Sequence, residues 1–186
     1  MIPKRKDSDI SIFEKVKDIT VNKKVNSSFR DIGCGIILLD DKDRIILGTR
    51  TDLPDFVHEK IANGEEEYKW TIPGGGLEKG ESPMRCALRE LEEEFGIKAG
   101  IQTYTVELVD YTDKFYLKRG QIKYKRDFTF ITRLKRSTID DIIPQKGEIG
   151  EVKAFTKEEA LNLIVDNKIY KASKSSILMA LKYNRL

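Results

Sequence analysis

Three glutamates, Glu90, Glu93 and Glu94, are spaced so that one helix would bring their carboxylates together. Residues at positions i, i+3 and i+4 are neighbours on a helix surface. Three negative charges at this distance repel one another, and a divalent cation would remove that repulsion. Ligands that are all oxygen suit Mg²⁺, Mn²⁺ or Ca²⁺. The spacing therefore predicts a metal site, although an acidic run alone would equally fit a solvated helix face.

The helix that must hold these carboxylates has signals at both ends. Ser82 is a suitable N-cap, Pro83 fits the first helical position, and Gly96 fits a left-handed residue after the last turn. We therefore predict a helix from about Pro83 to Phe95. The apolar stripe at helical spacing, which should face the core, is Met84, Ala87, Leu88, Leu91 and Phe95.

Residues beside the cluster could orient it and add ligands. Arg89 directly precedes Glu90 and could hold a carboxylate by a charge-assisted hydrogen bond. The glycines at 74–76 would let the backbone approach a ligand closely and offer carbonyl oxygens to a metal. These residue types at these spacings form a far more specific pattern than the acidic run alone.

Residues 75–97, GGLEKGESPMRCALRELEEEFGI, resemble the Nudix box of the Nudix (MutT-like) hydrolases, with every specified position filled. Residues 70–81 are similar to the strand and loop that lead into the box. The resemblance implies an α/β/α sandwich around a central mixed β-sheet. It also implies an enzyme that uses Mg²⁺ or Mn²⁺ to cleave the pyrophosphate of a nucleoside diphosphate linked to a moiety X. ADP-ribose, nucleoside triphosphates and dinucleoside polyphosphates are the candidate substrates.

The resemblance also implies roles for individual residues. Glu90, Glu93 and Glu94 would be the metal-binding and base-bearing residues, and which glutamate is the base stays open. Arg89 would orient the carboxylates. Glu81 and the Gly75 carbonyl would be further metal ligands.

Four more candidates lie outside the box. Many Nudix enzymes recruit one more carboxylate from a later loop, and Glu148 and Glu151 stand in the corresponding place. Either would be a metal ligand or base, or else an exposed loop residue. Arg50 and Lys69 are expected near the box at the sheet edge, where they could bind substrate phosphates. The single histidine, His58, argues against histidine-based chemistry.

The composition fits one domain with a short extension. Of 186 residues, 39% are hydrophobic, and 34 basic residues nearly balance 31 acidic ones, which does not indicate a dedicated nucleic-acid binder. Cys34 and Cys86 form no C-x-x-C pair, so we expect reduced thiols and a cytoplasmic protein. No apolar stretch predicts a membrane span. We assign residues 1–30 to an N-terminal extension, which could mediate a homodimer, and residues 31–186 to the Nudix domain.

Hydrophobic periodicity predicts the other elements. A hairpin should cover residues 32–50, followed by a polar loop at 51–69 that is a candidate specificity loop. Strands are predicted at 70–73, 103–112, 121–134 and 151–155, and helices at 156–165 and 173–183. Ile177, Leu178 and Leu181 of the last helix should face inward.

Two other functions remain open. The same chemistry could act on RNA 5′ ends, removing a cap or a pyrophosphate. The basic residues that could serve such a substrate are Lys118, Arg119, Lys123, Lys125 and Arg126. Alternatively, the domain could be a catalytically silent nucleotide sensor. The complete set of box carboxylates, and the lack of a recognisable DNA-binding module, argue against a sensor.

Overall fold

A mixed β-sheet organises the part of the chain that the computed structural model describes, which is residues 31–118, 121–135 and 138–182. The predicted extension at 1–30 and Arg119 lie outside the described residues, as do the side chains of Lys118 and Lys123. The strands are β1 (Asp31–Leu39), β2 (Ile45–Arg50), β3 (Trp70–Thr71), β4 (Gly74–Gly76), β5 (Glu107–Lys118), β6 (Gln121–Arg133) and β7 (Ile149–Phe155).

The strand order is β3-β2-β1-β6-β5, with β4 paired to β1 and β7 paired to β2. The β1–β6 pair is parallel, whereas the other pairs are antiparallel. The helices are α1 (Asp55–Ala62), α2 (Pro83–Phe95), α3 (Lys157–Val165) and α4 (Lys171–Lys182), and a 3₁₀ turn covers Ile139–Asp141.

Helices cover both faces of this sheet. Because side chains alternate along a strand, β1 sends Ile36 into one core and Ile37 into the other. The first core packs against Leu91 of α2, and the second packs against Ile164 of α3 and Ile177 of α4. The predicted α/β/α sandwich with a central mixed sheet is therefore confirmed.

Helix α2 has the predicted bounds and caps. The Ser82 side chain accepts a hydrogen bond from the backbone N–H of Arg85, and Gly96 is left-handed with φ of 68°. Ala87, Leu91 and Phe95 are buried as predicted, while Met84 and Leu88 are only partly buried. Cys86, Glu90 and Glu94 are buried as well, which the apolar stripe did not predict.

The region between β2 and β3 corrects one prediction. Residues 51–69 are not a continuous loop, because they contain helix α1. None of the α1 residues is buried, and Pro54 at its N-cap position forms no side-chain capping hydrogen bond. An exposed helix needs no apolar stripe, and this one also has no side-chain N-cap, so the two signals that predict helix α2 are weak here.

Several other elements also differ from the predictions. Strand β5 begins at Glu107 and continues to Lys118, well beyond the predicted end, because it pairs with β6 along its whole length. Helix α4 begins at Lys171, and its Leu178 is 42% exposed rather than inward-facing. The hairpin, the strand before α3 and the Thr156–Glu159 capping box of α3 are confirmed, with β7 starting slightly earlier than predicted.

Candidate active site

Arg89 lies at the centre of the carboxylates of the box. Its Nη1 donates to Glu90 Oε1 at 2.7 Å and to Glu93 Oε2 at 2.9 Å, and its Nε donates to Glu81 Oε1 at 3.1 Å. Its Nη2 also donates to the Gly76 carbonyl at 3.1 Å. One guanidinium therefore ties helix α2 to the strand and loop that precede it.

This arrangement affects how a metal could be held. Among the described residues, no three carboxylate, thiol or imidazole groups are gathered as a metal ion requires. Instead, the Arg89 guanidinium lies among these carboxylates, in contact with Glu81, Glu90 and Glu93. Hydrogen bonds from Arg89, with one from the Glu78 N–H, outweigh burial and lower the pKa of Glu81 below its ordinary value.

Glu94 is held by a different contact from those of Arg89. Its side chain is buried, and its Oε2 accepts a hydrogen bond of 2.9 Å from the Gly74 N–H. Burial, together with the nearby charges of Glu90 and Glu148, raises the pKa of Glu94 to about 7. Burial also raises the pKa of Glu90, against the opposing effect of Arg89. Both groups would release this electrostatic cost on binding a cation.

The glycine strand β4 lies directly against Glu90. A Cβ atom on Gly75 would lie 2.2 Å from Glu90 Oε1, so only glycine lets the backbone and the carboxylate lie this close. Gly75 also pairs with Cys34 of β1, and this pairing holds β4 in the sheet. Carboxylate oxygens and backbone carbonyl oxygens are the donor types that a hard divalent cation prefers.

The two later glutamates are placed differently. The negative charge of Glu148 contributes to the raised pKa of both Glu90 and Glu94, so Glu148 lies near the box. The loop that carries it is attached to α2 by the Gln145 N–H, which donates to the Glu94 carbonyl at 3.0 Å. Glu151 instead forms an ion pair of 2.6 Å with Lys153 on β7, and both side chains are about half exposed.

Arg50 and Lys69 are neighbours through their backbones, because the Arg50 N–H donates to the Lys69 carbonyl at 3.0 Å. The Arg50 guanidinium pairs with Asp52 at 2.5 Å and lies 5.3 Å from the centre of the Tyr170 ring. Burial acts to lower the pKa of Arg50, but the ion pair with Asp52 raises it above its ordinary value. The nearby charge of Glu94 adds a smaller increase. Arg50 therefore lies where the box meets a neighbouring cavity.

That cavity has a volume of about 250 Å³ and borders β4, at Gly74–Gly76. Its other polar lining residues include Arg50, Lys125, Asp127, Tyr170, Ser173 and Ser176. Sequence reasoning did not assign Asp127, Ser173 or Ser176 to a site, since no local motif links β6 with the start of α4. One signal was available, because two serines three residues apart on the inward side of a helix indicate a polar contact surface.

Cys34 and Cys86 are buried, unpaired thiols beneath this region. A hydrogen bond with Cys86, together with burial, raises the pKa of Cys34. The Cys86 thiol donates to the Gly76 carbonyl at 3.4 Å, so it supports the same glycine strand. No disulfide bond joins these two cysteines, and their reduced state stays a prediction.

The geometry agrees with a comparison of the sequence against protein families. The profile of the NUDIX domain matches residues 30–175. The chain belongs to the Nudix hydrolase family. This Nudix protein is a pyrophosphohydrolase that acts on acid anhydrides. Members of the family typically depend on a divalent metal. No helix in the described part of the chain is long and apolar enough to cross a membrane.

Individual relatives extend the comparison. The Nudix chain is 28% identical to an RNA pyrophosphohydrolase of Pelagibacter ubique, over 84% of this chain and 96% of that protein. A Caenorhabditis elegans Ap4A hydrolase structure has a TM-score of 0.55 at 19% identity, covering 84% and 98% of the two chains. The Nudix domain of Shewanella oneidensis NrtR, solved with ADP ribose, has a TM-score of 0.57 at 13% identity, covering 91% and 97%. At these identities, the two structures support the fold alone.

Proposed function

We propose that this protein is a Mg²⁺-dependent pyrophosphohydrolase whose substrate is the 5′ end of RNA. The observation that carries the chemistry is the set of box carboxylates on α2, held by Arg89 and Gly74 beside a cavity lined by Arg50. The similarity to the Pelagibacter RNA pyrophosphohydrolase, which extends over nearly all of that protein, favours RNA among the possible substrates.

The residues that would hold the metal are Glu90, Glu93 and Glu94, with Glu81, Glu148 and the Gly75 carbonyl as further ligands. When bound, the divalent cation would neutralise phosphate charge and lower the pKa of a bound water. Mn²⁺ has the same preference for oxygen ligands and would substitute for Mg²⁺. Of the two later glutamates, we choose Glu148 for this ligand set, because its charge acts on Glu90 and Glu94, whereas Glu151 pairs with Lys153 on β7.

The protein's own groups would position the reaction. Arg89 keeps Glu81, Glu90 and Glu93 in fixed orientations, and the Gly74 N–H does the same for Glu94. Arg50 would bind a substrate phosphate at the border of the cavity, because a guanidinium offers several donors in a planar array. The Lys69 carbonyl accepts a hydrogen bond from the Arg50 N–H, so Lys69 would help to position the end of β2 that carries Arg50.

The test is a screen for Mg²⁺-dependent product release from 5′-triphosphorylated RNA, ADP-ribose, nucleoside triphosphates, dinucleoside polyphosphates and nucleotide sugars. Glu94→Gln is the blank, and Glu92→Gln is the matched control, because Glu92 is exposed on the same helix and pairs only at 3.6 Å with Lys98. We expect the highest kcat/KM on triphosphorylated RNA. A clear preference for a mononucleotide substrate would refute the RNA assignment while leaving the pyrophosphohydrolase intact.

A catalytically silent nucleotide sensor is the alternative from a different class that the sequence left open. It predicts tight nucleotide binding with no turnover on any substrate in the screen. The complete set of box carboxylates favours the enzyme, since a sensor would not need a full set of metal-binding oxygens.

A further inference from the structure

Lys114 and Lys125 bind one carboxylate from opposite sides, that of Asp127. Lys114 Nζ lies 3.0 Å from Asp127 Oδ2, and Lys125 Nζ lies 2.9 Å from Asp127 Oδ1. The three side chains come from the paired strands β5 and β6. We call these three residues the lysine cluster.

The lysine cluster lies across the start of β1, over Gly33. A Cβ atom on Gly33 would lie 2.1 Å from Asp127 Oδ1 and 2.8 Å from Lys125 Nζ. The missing side chain at Gly33 therefore makes the space in which the ammonium and carboxylate lie. The same β6 face continues to Thr129, which donates to Ser176 of α4 at 2.9 Å, so the cluster is on the α4 side of the sheet.

The lysine cluster carries surplus positive charge. Each carboxylate oxygen of Asp127 contacts one lysine ammonium group, so two cations share one anion. An ammonium group has three N–H donors, and the contact with Asp127 uses one of them on each lysine. The lysine side chains are also more accessible, at 32% and 36% exposed, than Asp127 at 17%. Such a cluster suits a ligand anion with several acceptor oxygens, which is the chemistry of a phosphate group.

The position of the lysine cluster relative to the box indicates which phosphate of a substrate it would bind. Lys125 and Asp127 line the same cavity as Arg50 and the glycine strand β4, and β4 contacts Glu90 and Glu94. The cavity, at about 250 Å³, is below the usual range for drug-sized ligands, so it has room for about one nucleoside. A substrate bound there with its 5′ phosphates at the carboxylates would need a second phosphate to reach the lysine cluster.

We propose that the lysine cluster binds the phosphodiester between the first and second nucleotides of the substrate RNA. This inference rests on the proposed RNA 5′-end activity. It makes the cluster a determinant of substrate choice, because a free nucleoside triphosphate has no phosphate at its 3′ position. A dinucleoside polyphosphate has further phosphates only in its 5′ bridge, so it would gain nothing from the cluster.

The experiment compares kcat/KM for a 5′-triphosphorylated dinucleotide with kcat/KM for the matching nucleoside triphosphate and a dinucleoside tetraphosphate. The variants are Lys114→Gln, Lys125→Gln and the conservative Lys125→Arg. Lys98→Gln is the control, because Lys98 is an exposed lysine that pairs with Glu92 outside the cavity. Thermal unfolding of each variant shows whether it is folded.

We expect the wild type to prefer the dinucleotide, and Lys125→Gln to reduce that preference roughly ten- to a hundredfold, the usual effect of losing a hydrogen bond to a charged group. Lys114→Gln should reduce it less, Lys125→Arg should retain most of it, and Lys98→Gln should leave it unchanged. The preference should also weaken as salt concentration rises, since it depends on phosphate contacts.

Three results would overturn the inference. Equal losses on all substrates in Lys125→Gln would mean that the cluster only supports the fold. An undiminished dinucleotide preference would mean that the phosphodiester binds elsewhere, and a selective loss on the dinucleoside tetraphosphate would assign the cluster to the 5′ phosphate bridge. In all three cases, wild-type turnover of triphosphorylated RNA would still support the proposed function, so the two proposals can fail separately.

Discussion

The backbone N–H of Gly74 donates a hydrogen bond of 2.9 Å to Glu94 Oε2, joining the glycine strand to a buried carboxylate of the box helix. Because the acceptor is buried, this bond fixes the side chain of Glu94 where burial also raises its pKa. The strand that borders the cavity therefore also positions a group of the proposed metal site.

Glu94→Gln should reduce kcat by about a hundredfold or more, because an amide replaces a charged oxygen ligand. Glutamine retains a carbonyl oxygen that can accept from the Gly74 N–H, so the melting temperature of the metal-free protein should not fall. Steady-state kinetics and thermal unfolding test both points. Glu92→Gln should match the wild type in both measurements, and a fully active Glu94→Gln enzyme would remove Glu94 from the site.

Gly75→Ala should impair activity far more than Gly76→Ala. A Cβ atom at Gly75 would lie 2.2 Å from Glu90 Oε1, whereas a Cβ atom at Gly76 has nothing within 4 Å. We expect at least a tenfold loss of kcat/KM for Gly75→Ala and a change of less than about twofold for Gly76→Ala. Equal activity of the two variants would show that the close approach of Gly75 to Glu90 is not needed.

Arg89→Lys should rescue little of what Arg89→Ala loses. Arg89 contacts Glu81 through Nε and both Glu90 and Glu93 through Nη1, and a lysine ammonium cannot reproduce this planar arrangement. We expect both variants to lose tenfold or more in kcat/KM. Kinetics at saturating Mg²⁺ test this, and near wild-type activity of Arg89→Lys would indicate that only the positive charge matters.

The stability of the metal-free protein should depend on pH through Glu94. Its pKa rises from 4.5 in the unfolded chain to about 7 in the fold, so the folded state holds the proton more tightly. The associated stability is fully present below about pH 4.5 and is lost as pH rises through about 7. For one group with this shift, the loss is on the order of 3 kcal/mol.

Urea unfolding in EDTA, measured between pH 5 and pH 8, tests this contribution by comparing the wild type with Glu94→Gln. As the pH rises from 5 to 8, the unfolding free energy of the wild type should fall relative to that of Glu94→Gln. A difference that stays constant with pH would show that Glu94 does not titrate there.

Added Mg²⁺ should stabilise the protein more at pH 8 than at pH 5. Burial raises the pKa of both Glu90 and Glu94, so at low pH protons compete with the metal for these oxygens. Melting temperatures across a Mg²⁺ titration measure the effect through ligand linkage. Glu94→Gln should reduce the Mg²⁺-dependent increase at pH 8, and an increase that is equal at both pH values would contradict the proposed ligand set.

The parts of the fold that the sequence predicted have local causes. Ser82 and Gly96 cap α2 through groups within or next to that helix, so its bounds were readable. Helix α1 was missed because none of its residues is buried and Pro54, at its N-cap position, forms no side-chain capping hydrogen bond. Strand β5 was predicted too short because its outer half depends on pairing with β6 rather than on its own pattern.

The features of the site likewise divide into those with local causes and those that depend on the fold. The spacing of Glu90, Glu93 and Glu94 predicted a carboxylate cluster, whereas in the structure Arg89 contacts Glu81, Glu90 and Glu93, and Glu94 accepts from Gly74. The burial of Glu94 depends on β4 packing over α2, which no local pattern encodes. The cavity was not predicted because Asp127 and Ser173, which line it, are brought together only by the fold.

The glycine strand β4 separates two tasks that an enzyme of this kind must perform. The carboxylates that would cleave the pyrophosphate contact this strand from α2, while the residues that would recognise the rest of the substrate lie across it on β6 and α4. Substitutions on β6 or α4 could therefore change which molecule is bound without moving a carboxylate. A fold built this way can evolve new substrates while its bond-breaking chemistry stays constant.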